Sequence, residues 1–122
     1  MNNDSQTPYE LGKSGEAAAV NFLSRQKYRI VTTGFRLFRG EIDIIAYDKQ
    51  TLVFVEVKTR RNCQFGMPEE SVNPRKQRQL RKIAQGYLSL NNIKNTECRF
   101  DVLSLIKEGR NCYRVRHIKN AF

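Results

Sequence analysis

Two short segments carry the residues whose types and spacing best suit chemistry, Gly40-Glu41-Ile42-Asp43 and Glu56-Val57-Lys58. Side chains two positions apart on a β-strand point to the same face, so each segment would present its charged residues together if it is a strand. Carboxylate oxygens are the ligands that Mg²⁺ prefers, and an ammonium group beside a bound cation can orient a water molecule near a phosphate. The pattern therefore indicates a metal-assisted hydrolytic site for phosphodiesters.

The register of a hairpin built from these segments decides how the charges meet. With residues 48–51 as the turn, the ladder extends until Asp43 lies opposite Glu56 and Glu41 opposite Lys58. Two carboxylates that face each other destabilise a sheet unless a positive charge lies between them. A divalent cation would supply that charge. The structural alternative is a salt-bridge ladder, with Glu41 paired to Lys58 and Asp43 to a nearby arginine.

The same register divides the hairpin into two faces. One face is purely apolar and holds Ile42, Ile44 and Ala46 against valines of the second strand. The other face has apolar residues near the turn and the charged residues at its far end. The charged site is therefore predicted on the face away from the isoleucine and valine surface.

Glu16 adds a carboxylate from the first predicted helix. It lies on the apolar side of that helix, near Ala19 and Leu23, so we expect its side chain to point towards the sheet. A helix-surface residue in a crowded position is the alternative. The predicted cofactor is Mg²⁺ or Mn²⁺, the predicted metal ligands are Asp43, Glu56 and Glu16, and the predicted catalytic residues are Asp43, Glu56 and Lys58.

Hydrophobic periodicity, together with residues that begin or end helices and strands, predicts the elements that must position these residues. Helical spacing predicts helices over about 9–26 and from 74 to about 90, where Pro74 suits a first helical turn. Alternating β-branched and aromatic residues predict strands over 28–38, 42–47, 52–58, 99–106 and 112–118. The loop between the third strand and the second helix covers 62–73. The predicted order is α-β-β-β-α-β-β, an α/β fold with a mixed sheet.

Composition bounds the organisation and the function classes. Of 122 residues, 22 are basic and 12 acidic, and the formal net charge of +10 favours a polyanionic partner, nucleic acid above an anionic membrane. The three cysteines are widely spaced and there is one histidine, which argues against a zinc site or a disulfide framework. We expect disorder over residues 1–8 and a single domain over 9–122. No apolar run approaches membrane-spanning length, so we expect a cytoplasmic protein without a membrane partner.

Cations cluster around the predicted site. Five of them lie on the first two turns of the second helix with no acid between them, which favours a phosphate-binding face over an ordinary solvated face. Two arginines directly follow the third strand, where a loop without a role is the alternative, and another precedes the second strand. The predicted nucleic-acid-binding residues are Arg39, Arg60, Arg61, Arg75, Lys76, Arg78, Arg81 and Lys82.

These residues resemble those of a known group of enzymes. Asp43, Glu56 and Lys58 are similar to the motif of the PD-(D/E)xK nuclease superfamily, whose restriction-endonuclease-like core is α-β-β-β-α-β with a mixed central sheet. Nearly the whole chain resembles the bacterial YraN-like family. That resemblance is carried by residues 12–18, 40–46, 53–60, 65–70 and 99–102, together with positions along the second helix.

The resemblance implies a metal-dependent nuclease acting on DNA phosphodiesters, with branched or recombination intermediates among its candidate substrates. Asp43 would be the metal-binding aspartate, Glu56 the second acidic ligand and Lys58 the catalytic lysine. Glu16 matches the helix-borne glutamate of branches similar to archaeal Holliday junction resolvases, whereas Ile42 stands where the motif has proline. The alternatives are a non-catalytic nucleic-acid-binding protein with the same fold and an adaptor for an acidic protein. A homodimer is a further expectation, because such enzymes often act on symmetric substrates.

Overall fold

The computed structural model describes residues 6–62, 72–110 and 112–122. The predicted order of helices and strands is confirmed. In chain order the elements are α1 (Pro8–Arg25), β1 (Arg29–Leu37), β2 (Gly40–Asp48), β3 (Thr51–Arg60), α2 (Pro74–Leu90), β4 (Cys98–Gly109) and β5 (Cys112–Ile118). Most of the predicted loop over 62–73, and the first five residues of the predicted disordered segment, lie outside the described residues.

Both helices begin at caps that are local in sequence. The Thr7 hydroxyl accepts a hydrogen bond from the Glu10 N–H at 3.1 Å, and the Glu10 carboxylate accepts one from the Thr7 N–H at 2.9 Å. This reciprocal capping box starts α1 one residue earlier than periodicity predicted. The second helix begins at Pro74 as predicted, after Asn73, whose side chain accepts a hydrogen bond from the Lys76 N–H at 2.9 Å.

The strands form one mixed sheet of five strands in the order β1-β2-β3-β4-β5. Antiparallel pairing joins β1 to β2, β2 to β3 and β4 to β5. The pairing of β3 with β4 is parallel, and α2 forms the crossover connection that parallel neighbours require. The predicted mixed sheet is therefore present. Neither helix is long and apolar enough to span a membrane within the described residues.

Each helix covers one face of the sheet with its own apolar cluster. Under α1, Ala19 and Leu23 pack against β2, β3 and β4. Under α2, Leu80 and Ile83 pack with side chains from the opposite face of the same strands. Strand β3 is therefore buried on both faces, which explains its continuous apolar run over 52–55.

The two faces of the β2–β3 hairpin differ from the prediction at Ile42. Ile44 and Ala46 pack beneath α1, but Ile42 packs in the cluster beneath α2, so the predicted single apolar face is wrong. Strand β2 therefore loses its regular alternation at Asp43. Opposite this point in the ladder lies Gly34 of β1, with φ +63°, a left-handed conformation that residues with a side chain rarely adopt.

Candidate functional site

Strands β2 and β3 separate at the end of the hairpin that is far from its turn. Their paired residues end at Ile44 and Val55, and up to that point the register is as predicted. Beyond it, the Asp43 carboxylate accepts a hydrogen bond from the backbone N–H of Val57 at 2.8 Å. At this point a hydrogen bond from a backbone N–H to a side chain replaces the backbone hydrogen bonds of the ladder. The direct cross-strand pairs predicted for the charged residues are not part of that ladder.

Three carboxylates converge where the strands separate: Glu16 from α1, and Glu41 and Asp43 from β2. One oxygen of each carboxylate lies within 4.8 Å of the others. With Ile42 turned towards α2, its neighbour Glu41 points to the other side of the strand, and the Glu41 and Asp43 carboxylates meet Glu16 of α1. The structure therefore brings Glu16 and Asp43 together. We call this group, Glu16, Glu41 and Asp43, the acid cluster.

Glu41 is the carboxylate that the sequence-based ligand set omitted. The extrapolated register paired it with Lys58, whereas it lies opposite Arg36 of β1, whose Nε is 3.2 Å from the Glu41 Oε1. The Arg36 side chain is 83% exposed, so this ion pair adds little stability and leaves Glu41 accessible to other partners. The sequence did contain a signal for Glu41. It stands two residues before Asp43 on the same strand, and side chains at that spacing point to the same face.

Glu56 lies on the α2 side of β3, where two lysines meet it. Its Oε2 is 3.3 Å from the Nζ of Lys58 and 3.7 Å from the Nζ of Lys76 on α2. The Glu56 side chain is only 5% exposed, and an unpaired carboxylate would be costly at such a position. Glu56 is not a member of the acid cluster, although its charge acts on Asp43. Its role as a metal ligand stays a prediction.

Asp43 has the most perturbed carboxyl group of the site. Burial and the charge of Glu56 raise its pKa to about 8, against the opposing hydrogen bond from Val57. Burial also raises the pKa of Glu16, partly offset by Lys13. None of the ion pairs found between described residues includes Asp43. A cation bound at the acid cluster would favour the ionised carboxylates, and an all-oxygen donor set fits a hard divalent cation.

The predicted cationic face of α2 is largely open to solvent. Its exposed members are Arg75, Arg78, Arg81 and Lys82. Arg81 lies over the rings of Phe100 and Phe122, at 5.0 and 5.5 Å from their centroids. Lys82 lies over the ring of Phe38 at 4.9 Å. These aromatic contacts orient two of the cations while leaving their charges at the surface.

The remaining predicted cations lie at strand ends. Arg39 is exposed in the two-residue turn between β1 and β2, where its φ is +60°. Arg60 is exposed at the end of β3, and its guanidinium donates a 3.4 Å hydrogen bond to the Thr59 carbonyl. Arg61 follows it and is partly buried. The structure therefore places Arg60 at the end of the strand that carries Glu56 and Lys58, with Arg61 directly after it, whereas Arg39 lies in a different turn.

A groove of about 490 Å³ lies between the first half of α1 and the end of β3. Glu16 and Lys58 border it, so the groove joins the acid cluster to the lysine. Arg60 and Arg61 also line it. The groove thus brings together carboxylate oxygens that could bind a cation, the Lys58 ammonium group and the positive charges of Arg60 and Arg61.

Sequence comparisons identify relatives over nearly the whole chain. A UPF0102 protein of Geotalea daltonii is 46% identical over 120 residues, which cover 98% of this chain and 92% of the relative. A UPF0102 protein of Chlorobium phaeobacteroides is 44% identical, with coverage of 94% and 95%. A third, of Geobacter sulfurreducens, is 45% identical, with coverage of 92% and 88%. Residues 15–105 match the sequence model of the uncharacterised protein family UPF0102, and the chain belongs to that family.

Proposed function

We propose that this protein is a metal-dependent nuclease that cleaves DNA phosphodiesters, and that its domain is a member of the PD-(D/E)xK superfamily. The observation that carries the proposal is the acid cluster, whose carboxylates come within 4.8 Å of one another beside a groove that Lys58 borders. The elements from α1 to β4 follow the α-β-β-β-α-β order of the restriction-endonuclease-like core, which supports the superfamily assignment.

The acid cluster suits Mg²⁺ or Mn²⁺. Glu16, Glu41 and Asp43 would hold the cation, with Glu56 beside Asp43 as a further candidate ligand. When bound, the cation would lower the pKa of a water molecule and offset the charge of the phosphate. The raised pKa of Asp43 supports this assignment, because the ionised site requires a positive charge nearby.

Lys58 would act on the phosphate or on the attacking water. Its Nζ is held 3.3 Å from the Glu56 Oε2, and Lys58 borders the groove. Lys76 provides a second counter-charge for Glu56, so Lys58 can turn towards a substrate without leaving that buried acid uncompensated. An ammonium group placed in advance in this way stabilises negative charge that develops during phosphodiester cleavage.

DNA is the partner that the charge distribution supports. The net charge is +10. Exposed cations lie along α2, and other cations line the groove. Contacts of this kind neutralise phosphates without reading bases, so we expect recognition to depend on backbone and shape. A homodimer and a cytoplasmic location remain predictions.

Cleavage assays on linear, single-stranded, flapped and four-way DNA test the proposal, with Mg²⁺ or Mn²⁺ and with a chelator. Asp43→Asn keeps an acceptor for the Val57 N–H and should abolish cutting. Lys58→Met should lower kcat by roughly a hundredfold or more. Lys76→Met removes the other lysine from Glu56 and a proposed DNA contact, so it should raise KM and should lower kcat much less than Lys58→Met does.

Two outcomes would contradict the proposal. Cutting that persists with the chelator or in Asp43→Asn would remove the metal site from the reaction. Tight DNA binding by the wild type, without cutting in either metal, would favour the non-catalytic nucleic-acid-binding protein with the same fold.

A further inference from the structure

Gly12 is a glycine inside α1 at a position where packing does not require one. A Cβ built on Gly12 meets no atom within 4 Å, whereas a Cβ on Gly15 would lie 2.1 Å from the Thr59 Oγ1. Gly15 is therefore needed for the close approach of α1 to β3. A glycine within a helix makes the helix less stable than an alanine would. Gly12 therefore costs helix stability without allowing a close contact to the rest of the chain.

The space beside Gly12 belongs to the groove of about 490 Å³ between α1 and the end of β3. Glu16 lies one helical turn further along α1 and borders the same groove, which therefore leads to the acid cluster. The volume lies within the range of roughly 300–1,000 Å³ that is usual for small-ligand sites. A side chain at position 12 would extend into that volume.

The lining of the groove is partly apolar and partly cationic. Pro8, Leu11 and Val57 contribute apolar surface, and Arg60 and Arg61 contribute positive charge. A phosphate alone would leave the apolar surface without a partner. A base within an intact duplex is stacked and paired, and it could not enter. An unpaired nucleotide offers both a phosphate and an apolar ring, so it matches both parts of the lining.

We propose that this groove binds one unpaired nucleotide of the DNA strand, adjacent to the phosphodiester that reaches the acid cluster. The inference rests on the proposed nuclease function and deepens it by naming the substrate class, DNA with a single-stranded stretch or a flap. Gly12 keeps the groove open for the base or sugar. Arg60 and Arg61 contact the phosphates that flank this nucleotide. Lys58 lies next to the phosphodiester that is cut.

The experiment fills the groove without a clash. Gly12→Leu adds a side chain where a Cβ meets nothing within 4 Å, and leucine is a better helix former than glycine. Fluorescence anisotropy with Ca²⁺ in place of Mg²⁺ would compare single-stranded, flapped and blunt duplex DNA. We expect about tenfold weaker binding of single-stranded and flapped DNA, duplex binding within about twofold of wild type, and no fall in Tm. Ala17→Leu, on an exposed part of α1, is the matched control and should change none of these.

A graded series keeps the test independent of any loss of folding in the leucine variant. Gly12→Ala, Gly12→Ser and Gly12→Gln should weaken single-stranded binding progressively with side-chain size. Unchanged affinity across the series, or an equal loss for blunt duplex, would overturn the groove assignment.

Cleavage by the wild type separates this inference from the nuclease proposal. If the wild type cuts DNA and Gly12→Leu binds and cuts equally well, the groove assignment is wrong and the nuclease proposal stands. If the wild type binds DNA without cutting and Gly12→Leu selectively loses single-stranded binding, the groove assignment stands and the nuclease proposal fails. A wild type that neither binds nor cuts would overturn both.

Discussion

The Asp43 carboxylate accepts a hydrogen bond from the backbone N–H of Val57, at 2.8 Å, where the β2–β3 ladder ends. Val57 stands between Glu56 and Lys58, so this bond ties the acid of one strand to the segment that carries the other two charged residues. Because the donor is a backbone group, the attachment is available to any residue at position 57 except proline, which lacks the N–H. The relative placement of Asp43 and Lys58 is therefore built into the hairpin.

Asp43 should make the protein less stable as the pH rises when divalent cations are absent. Its pKa is about 8 in the folded protein against an ordinary value of 3.8, because of burial and the charge of Glu56. The contribution of its protonated form is complete below about pH 4 and is lost as the pH rises through about 8. The free energy of unfolding should fall by up to about 1.4 kcal/mol per pH unit in this window. Urea unfolding in chelator would measure it.

The comparison that isolates this effect uses two carboxylate variants. Asp43→Asn should flatten the pH dependence and stabilise the protein near neutral pH. Glu97→Gln changes an exposed carboxylate near the opposite end of β3 and should keep the wild-type slope. The same slope in wild type and Asp43→Asn would show that Asp43 does not titrate in this range.

Glu41 should bind the metal together with Glu16 and Asp43. Glu41→Gln removes one of the carboxylates that come within 4.8 Å of one another, so it should weaken Mn²⁺ binding by about tenfold or more. Isothermal titration calorimetry would measure the affinity, with Glu97→Gln as the control. If Glu41→Gln binds Mn²⁺ normally while Glu56→Gln does not, the ligand set is the one implied by the family resemblance.

The exposed cations of α2 should contribute to DNA affinity through phosphate contacts. In Arg75→Gln/Arg78→Gln, each lost contact should reduce the slope of log affinity against log salt by about 0.9 for duplex DNA. Lys49→Gln removes an exposed cation in the β2–β3 turn, at the end of the hairpin away from the acid cluster, and serves as the control. An equal change in slope for the control would mean that net charge, rather than this face, sets the affinity.

Asp101 should be a structural acid that the fold requires. It is fully buried and accepts hydrogen bonds from the Arg99 Nε at 2.8 Å, the His117 Nε2 at 2.7 Å and the Asn120 N–H at 3.0 Å. Burial acts to raise its pKa, but these hydrogen bonds outweigh burial and lower the pKa to about 2. Its contribution is present above about pH 4 and is lost as the pH falls through about 2.

The substitution Asp101→Ala should lower the free energy of unfolding by about 3–5 kcal/mol, because it leaves buried partners without their acceptor. Asp48→Ala removes a partly exposed carboxylate from the same arginine and should cost less. Denaturant unfolding near neutral pH would compare them. A smaller loss for Asp101→Ala than for Asp48→Ala would contradict this ranking, and unchanged Mn²⁺ affinity in both would separate the network from the acid cluster.

The sequence alone was sufficient for features that depend on neighbouring residues. The second helix was predicted to begin at Pro74 because a proline and the preceding asparagine are local signals. The register of the hairpin was predicted up to Ile44 and Val55 because the turn at 48–51 sets it. Asp43, Glu56 and Lys58 were selected as candidate site residues for the same reason, since the spacing of charged residues within each strand is local.

The composition of the site depended on contacts between distant segments. Regular alternation in β2 predicted one apolar face, but Ile42 turns towards α2 at a point where Gly34 of another strand adopts a left-handed conformation. That turn places Glu41 with Glu16, and the crossover after β3 brings Lys76 to Glu56. These partners are separated by many residues in the chain. Only the packing of both helices on the sheet decides which carboxylates meet in the acid cluster and which one is paired with lysine.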